Sequence, residues 1–244
     1  MTKLFIHGVP DTHRLWAPVF AALGEDAADA RALSLPGFDA PAPEGFDFTM
    51  DAYAAWLIGE IEAVGRPVDL VGHDWGGLLV QRAGSLRPEL VRSWAAGGVA
   101  VDEGYVWHDI AQVWQTPEEG ELLMAAMDDE AFAAALMEAR VPEAHAREMA
   151  AQGGETMRAA ILALYRSAVT IGADWGGEID QLPSNGLVIW GEHDPYAAPD
   201  FGRRLAHRTG AGFHLFEDCG HWWPYERPAE TAALLRRLWG LTQG

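Results

Sequence analysis

Asp74 stands where a chain can most easily present a reactive side chain. It lies in Leu70-Val71-Gly72-His73-Asp74-Trp75-Gly76-Gly77, after the apolar run Val68-Asp69-Leu70-Val71 and before a helix-like segment, Leu78 to Leu86. Strand, sharp turn and helix form the Gly-x-Nuc-x-Gly pattern, which holds its middle side chain above a sheet at a helix N-terminus. The middle residue here is aspartate rather than serine. A carboxylate with an ordinary pKa of about 3.9 is ionised at neutral pH and needs no base to act as a nucleophile. Its attack on an acyl carbon gives a labile mixed anhydride, whereas attack on an sp3 carbon gives an ordinary ester. The pattern therefore points to alkyl substrates such as epoxides or haloalkanes.

Two later motifs supply what an ester intermediate needs. Leu187-Val188-Ile189-Trp190-Gly191-Glu192-His193-Asp194-Pro195 is a strand running into a turn that carries an acid, Asp194. Glu217-Asp218-Cys219-Gly220-His221-Trp222 ends the next strand in a histidine, His221. Nucleophile, acid, histidine is the chain order of α/β-hydrolase sites. A fourth piece, His7-Gly8-Val9-Pro10, follows the first strand and places the Val9 N–H where it can join that of Trp75 in an oxyanion hole.

These pieces require a sheet whose strand ends share one edge. β-like runs occur at 3–6, 32–35, 68–71, 91–95, 187–190 and 213–216, with helical patterns at 50–64, 78–86, 199–208 and 228–239. The alternation predicts an α/β fold with a doubly wound, mostly parallel sheet. It stops between about residues 101 and 182, a stretch rich in Ala, Met, Glu and Trp that includes Leu122–Met127 and Ala131–Arg140. The expected division is a core of residues 1–100 and 183–244, with a helical cap, 101–182, over the C-terminal edge of the sheet.

The chain resembles the branch of the α/β-hydrolase family that contains epoxide hydrolases and haloalkane dehalogenases. The resemblance rests on His7-Gly8-Val9-Pro10 with Trp16, Gly72-His73-Asp74-Trp75-Gly76, Gly191-Glu192-His193-Asp194 and Cys219-Gly220-His221-Trp222. It implies Asp74 as nucleophile, His221 as base and Asp194 as its acid partner. It also implies a further hairpin before the His-Gly motif. Here that motif begins at residue 7, so about six strands are expected.

The leaving group separates the two activities. An epoxide departs as a basic alkoxide and needs a proton donor, which in the family comes from cap tyrosines. Leu164-Tyr165-Arg166-Ser167 resembles the segment carrying one of them. The second belongs near 106–115, which holds no tyrosine, leaving Tyr105 or His108 as the substitute. A halide needs only N–H donors, which Trp75 with Trp107 or Trp114 could supply. Fluoroacetate dehalogenases carry arginine directly after the nucleophile, where Trp75 stands, so a carboxylate substrate is disfavoured. The sequence favours an epoxide hydrolase giving vicinal diols. A haloalkane dehalogenase is the alternative, and a non-catalytic binding protein of the same fold is the alternative of another class.

Other features have plainer readings. Gly172-Ala173-Asp174-Trp175-Gly176 also fits Gly-x-Asp-x-Gly, but the breaker-rich segment after it predicts a loop leaving the cap. Asp102 and Glu103 are an alternative acid or a solvated start of the cap. Trp107, Trp114 and Trp175 read as packing residues or as a pocket roof. His7, His73 and His193 orient turns, while His13, His108, His145, His207 and His214 lack metal-ligand spacing, so no metal or cofactor is expected.

Of 244 residues, 36 are acidic and 17 basic, a formal charge of −19. That disfavours nucleic acid and anionic membrane surfaces and leaves a small-molecule substrate. One cysteine, Cys219, no secretory leader and no apolar span together predict a cytoplasmic protein.

Overall fold

A computed structural model describes residues 1–241. Six strands form one wholly parallel sheet: β1 (Lys3–Ile6), β2 (Ala30–Leu33), β3 (Val68–His73), β4 (Val91–Gly97), β5 (Gly186–Gly191) and β6 (Gly212–Phe216), in the order β2-β1-β3-β4-β5-β6. Every strand pair is parallel, so every connection is a crossover. The order reverses between β1 and β3. Loops leaving those two strands diverge to opposite sides there, opening the crevice where ligands bind in such sheets.

Among the described residues, twelve α-helices accompany the strands. In chain order they are α1 (Ala17–Leu23), α2 (Met50–Val64), α3 (Trp75–Leu86), α4 (Asp109–Gln115), α5 (Glu119–Ala126), α6 (Asp129–Glu138), α7 (Glu143–Gln152), α8 (Glu155–Ser167), α9 (Ile171–Trp175), α10 (Pro199–Thr209), α11 (Trp223–Glu226) and α12 (Pro228–Leu238). Alternating strand residues feed two cores. Leu4, Ile6, Leu70, Ala96 and Val188 pack under α2, α3 and α10, while Phe5, Val71, Ala95 and Ile189 pack under α1 and α12. Central strands buried on both faces are continuous apolar runs for this reason.

Local chemistry sets the helix ends. Thr49 accepts the Ala52 N–H at 3.2 Å and starts α2, and Gly65 ends it at φ 72°. The chain enters α3 through Asp74, at φ 53°. Left-handed backbone is strained for a residue with a Cβ, and it persists because the turn is hydrogen-bonded from Asp74 N–H to Gly97 at 2.9 Å.

Between β4 and β5 the described chain forms only helices, α4 to α9, and a 3-10 turn at Gly176–Gln181. The segment 172–176, expected as a loop, is helical instead. Thr170 donates to the Asp174 carboxylate at 2.8 Å and Trp175 donates to Asp51 at 3.0 Å, which together close a short turn of helix against α2. Gln81 ties the departing chain to α3. Its amide donates to the Gly77 and Val99 carbonyls and its oxygen accepts the Val101 N–H. No helix among the described residues is long and apolar enough to cross a membrane.

Gly76 shows how close the turn sits to β1. A Cβ there would lie 2.1 Å from the Ile6 carbonyl oxygen. Backbone cannot yield as a side-chain tip can, so Gly76→Ala is expected to lower stability by on the order of 3 kcal/mol, read from denaturant midpoints at unchanged m-value.

Candidate functional site

Four strand ends deliver the site. Asp74 follows β3, Val9 follows β1, Asp194 lies in the turn after β5, and His221 lies beyond β6. Asp74 is 6% exposed. Its Oδ2 accepts the Val9 N–H at 2.8 Å, and its Oδ1 lies 3.6 Å from His221 Nε2. His221 Nδ1 meets Asp194 Oδ2 at 2.8 Å, while Asp194 Oδ1 accepts the N–H groups of Tyr196 and Ala197. When the ring is neutral its proton is therefore on Nδ1, which leaves Nε2 as the basic nitrogen facing Asp74. Gly8 makes the approach possible, because a Cβ there would lie 2.3 Å from Asp74 Oδ2.

The charges oppose their burial. Burial pushes the Asp74 carboxyl above the usual range, against the His221 ring and the Val9 and Trp75 amides, which favour the anion. Burial also disfavours a charged His221, but the carboxylates of Asp194, Asp74 and Asp11 outweigh it, so the ring holds a proton more strongly than usual.

A cavity opens onto Asp74 and His221. Of the residues expected to contact substrate, Tyr165, His108 and Trp114 line it. Tyr165 is buried, with its ring edge-on to Trp75, Trp107 and Trp114. Burial, then the Asp74 charge, holds its phenol well above the usual value. His108 starts α4 by accepting the Ala111 N–H on Nδ1 at 3.3 Å. Its proton is thereby left on Nε2, and burial lowers its pKa to about 4, so it is a neutral donor.

Two expected contacts are placed otherwise. The Trp107 N–H is spent on the Ala168 carbonyl at 2.8 Å, because its ring packs flat on Trp75. The Tyr105 hydroxyl points to the Tyr196 carbonyl at 3.4 Å and is not part of the cavity wall. Asp102 is committed to Arg204 at 2.8 Å and takes no part in the site. Trp75 is fully buried beneath Tyr165, its indole N–H without an acceptor, as is that of Trp114.

Sequence reasoning missed Tyr196 and Asp11. Tyr196 lines the cavity with its ring 4.9 Å from that of His221, and its place two residues after Asp194 was the available signal. Asp11 is buried, accepts the Trp222 N–H at 2.9 Å on Oδ2 and has no partner for Oδ1. Nothing in its sequence neighbourhood marks it as buried. His7 and His73 do hold backbone: His7 accepts the Leu35 N–H and His73 donates to the His221 carbonyl. The His193 side chain is exposed.

Comparison with known proteins gives the family and the fold. A sequence model of the Alpha/beta hydrolase family matches residues 4–234. Over 54 residues, 22% of the chain, the sequence is 35% identical to the 2-hydroxy-6-oxononadienedioate/2-hydroxy-6-oxononatrienedioate hydrolase of Escherichia coli, a stretch that spans 19% of that relative's length. Among solved structures, a meta-cleavage product hydrolase from Pseudomonas fluorescens IP01 matches at TM-score 0.80 and 20% identity, covering 98% of this chain and 90% of that one. An epoxide hydrolase from Vigna radiata matches at 0.78 and 19%, covering 98% and 90%. A haloalkane dehalogenase from Bradyrhizobium elkani matches at 0.77 and 20%, covering 98% and 91%. At such identities the likeness is one of fold.

Burial raises the Asp11 carboxyl to about 7, against the Trp222 N–H that lowers it. The unfolded carboxyl ionises near 4, so between about pH 4 and 7 the folded chain keeps a proton that the unfolded chain has lost. The Asp11 contribution to stability therefore falls as pH rises through that window. Asp11→Asn removes the titration, and its stability relative to the parent should improve by up to about 4 kcal/mol between pH 4 and 8 in paired denaturant titrations.

Proposed function

Because this chain belongs to the Alpha/beta hydrolase family, we propose that it is an epoxide hydrolase working through an aspartyl ester, with Asp74 as nucleophile, His221 as base and Asp194 as its orienting acid. One observation carries the reading. A buried carboxylate, one oxygen on the Val9 amide and the other facing His221, shares a cavity with two neutral proton donors, Tyr165 and His108. An elbow aspartate selects an alkyl carbon, and the donors select a leaving group that needs a proton.

In this scheme Asp74 Oδ1 attacks an epoxide carbon and the ring C–O bond breaks. The released oxygen takes the Tyr165 proton, with the His108 Nε2–H as second donor. Oδ2 stays on the Val9 and Trp75 amides as the ester carbonyl. Forming the ester removes the Asp74 charge, one of the anions that hold a proton on His221. A neutral His221 ring is thereby favoured at the step that needs a base. Water loses a proton to His221 Nε2 as it adds to the Asp74 carbonyl carbon, and the oxyanion rests on the two amides. Such donors are each worth about 10²–10³-fold in comparable sites. Collapse returns the His221 proton to the departing diol oxygen. The Asp74 carboxylic acid then ionises and its proton restores Tyr165.

The same reading takes residues 101–182 as a cap roofing the cavity and 1–100 with 183–244 as the core, of which 242–244 lie outside the described residues. The substrate is small and uncharged, in keeping with the charge of −19.

A second reading rests on the buried, acceptor-free indole N–H groups of Trp75 and Trp114. Two such donors could solvate a departing halide, as a haloalkane dehalogenase requires, without any proton transfer. A binding protein of the same fold would use the cavity and leave Asp74 unmodified.

A single turnover with styrene oxide in heavy-oxygen water decides among them. The label is expected in Asp74 before it reaches the diol, and label in the diol alone would exclude the ester. His221→Gln should accumulate the alkyl-enzyme, seen as a mass increase. Tyr165→Phe should slow ester formation by about 10²–10⁴-fold while hydrolysis of a preformed ester is nearly unchanged. Bromoalkanes should give little halide; fast halide release with no diol would favour the indole-based reading.

A further inference from the structure

The loop that leads into His221 is gripped from two directions. From the core, Arg227 donates to the Glu217 and Asp218 carbonyls at 2.9 and 3.2 Å, and Glu192 accepts the Asp218 N–H at 3.0 Å. The Gly220 N–H, next to His221, goes instead to Glu226 Oε1 at 2.9 Å. The other oxygen of Glu226 lies 3.2 Å from Arg140 Nε. Arg140 Nη2 donates to the Asp218 carbonyl at 3.2 Å and to the Asp218 carboxylate at 3.1 Å. Arg140 stands at the corner between α6 and α7. Among the described residues it is the only side chain from the helices between β4 and β5 that hydrogen-bonds this loop. α6 also lends Phe132, Ala135 and Leu136 to the wall of the Asp74 cavity. One guanidinium thus joins that wall to the loop carrying His221.

Backbone strain marks the same residue. α6 ends in a Schellman turn, with the Val141 N–H on the Leu136 carbonyl and the Arg140 N–H on the Met137 carbonyl, both at 3.0 Å. Arg140 takes the left-handed position of that turn, at φ 75°, where glycine is the favoured residue and a Cβ is strained. Its exposed ion pair with Asp218 contributes little to stability and does not offset that strain. We propose that Arg140 is a positioning residue for His221, acting through Glu226 and the Gly220 amide on the backbone that carries the imidazole. His73 holds the His221 carbonyl from the other side at 2.9 Å. The fit is close, since a Cβ on Gly220 would lie 3.0 Å from Glu226 Oε1 and 3.1 Å from Arg140 Cδ. The effect on turnover rests on the reading of His221 as the base of ester hydrolysis, because forming the ester needs no base.

Arg140→Gly separates this role from a structural one, because it removes the guanidinium and gives the turn the residue it favours. Its denaturation midpoint should stay close to the parent's or rise. In single turnovers with styrene oxide, ester hydrolysis should slow by about ten- to a hundredfold while ester formation is nearly unchanged. Arg140→Lys keeps a charged donor for Glu226 and should restore part of the loss. Proton NMR on the full chain adds a readout that requires no substrate. The His221 Nδ1–H held by Asp194, identified by its absence in His221→Gln, should exchange with water faster in Arg140→Gly. Unchanged exchange together with unchanged ester hydrolysis in a folded Arg140→Gly would overturn the positioning role, as would equal slowing of both steps. Faster exchange in Arg140→Gly, with no epoxide turned over by the parent, would leave that role standing and remove the ester chemistry.

Discussion

The contact between Asp74 Oδ2 and the Val9 N–H is the constraint on which the rest of the molecule depends. A carboxylate this deeply buried must be neutralised by hydrogen bonds and a paired charge, or it will take up a proton. The amide comes from the loop after β1, the paired charge from His221 beyond β6, and the carboxylate from the turn after β3. The sheet order that sets β1 beside β3 exists in the same crevice as this need. Gly8 and Gly76 allow the approach, and a side chain at either would collide with Asp74 or with β1.

Around that contact the site is a set of charges that cannot all be present at once. His221 is wedged among Asp74, Asp194 and Asp11, so its protonation answers to each of them. Asp194 is the best satisfied, with two amides and the imidazole on its oxygens. Asp11 is the least, with an oxygen that meets no donor. A buried acid in that condition resists ionisation, and the fold tolerates it because the nearby Trp222 indole supplies one good hydrogen bond. The aromatic shell of Trp75, Trp107, Trp114 and Tyr165 keeps water from relaxing these conflicts, which strengthens every remaining electrostatic term.

Much of this was legible in the chain, for physical reasons. β1 and α2 have the expected bounds, since an apolar run and a capped amphipathic segment carry their own signals. The strand expected at 32–35 lies at Ala30–Leu33, because its register comes from pairing with β1 at the sheet edge, where its own burial is weak. The short α1 has no long periodic pattern and was not expected. It forms because Phe20 and Leu23 find β1 and α12 beneath them. Asp74, Asp194 and His221 could be read from turn motifs, and the structure brings them together. The substrate wall could not. Trp107 and Trp114 are equal candidates as letters, and only packing reveals that one indole N–H is used by Ala168 while the other is free. His108 likewise becomes a donor of defined tautomer only through its place at the start of α4.

Sequence separation gives the site a history as well as a shape. Val9 and Asp74 are 65 residues apart, His73 and His221 are 148 apart, and Asp11 and Trp222 are 211 apart. No local segment can assemble any of these contacts. Each waits on closure of a long loop, and parallel sheets with such contacts form slowly. While β5 and β6 remain undocked, Asp74 has neither its histidine nor its shelter from water. It is then an ordinary solvated carboxylate at a surface turn. The buried arrangement of Asp74, His221 and Asp194 thus exists only once β5 and β6 have joined the sheet.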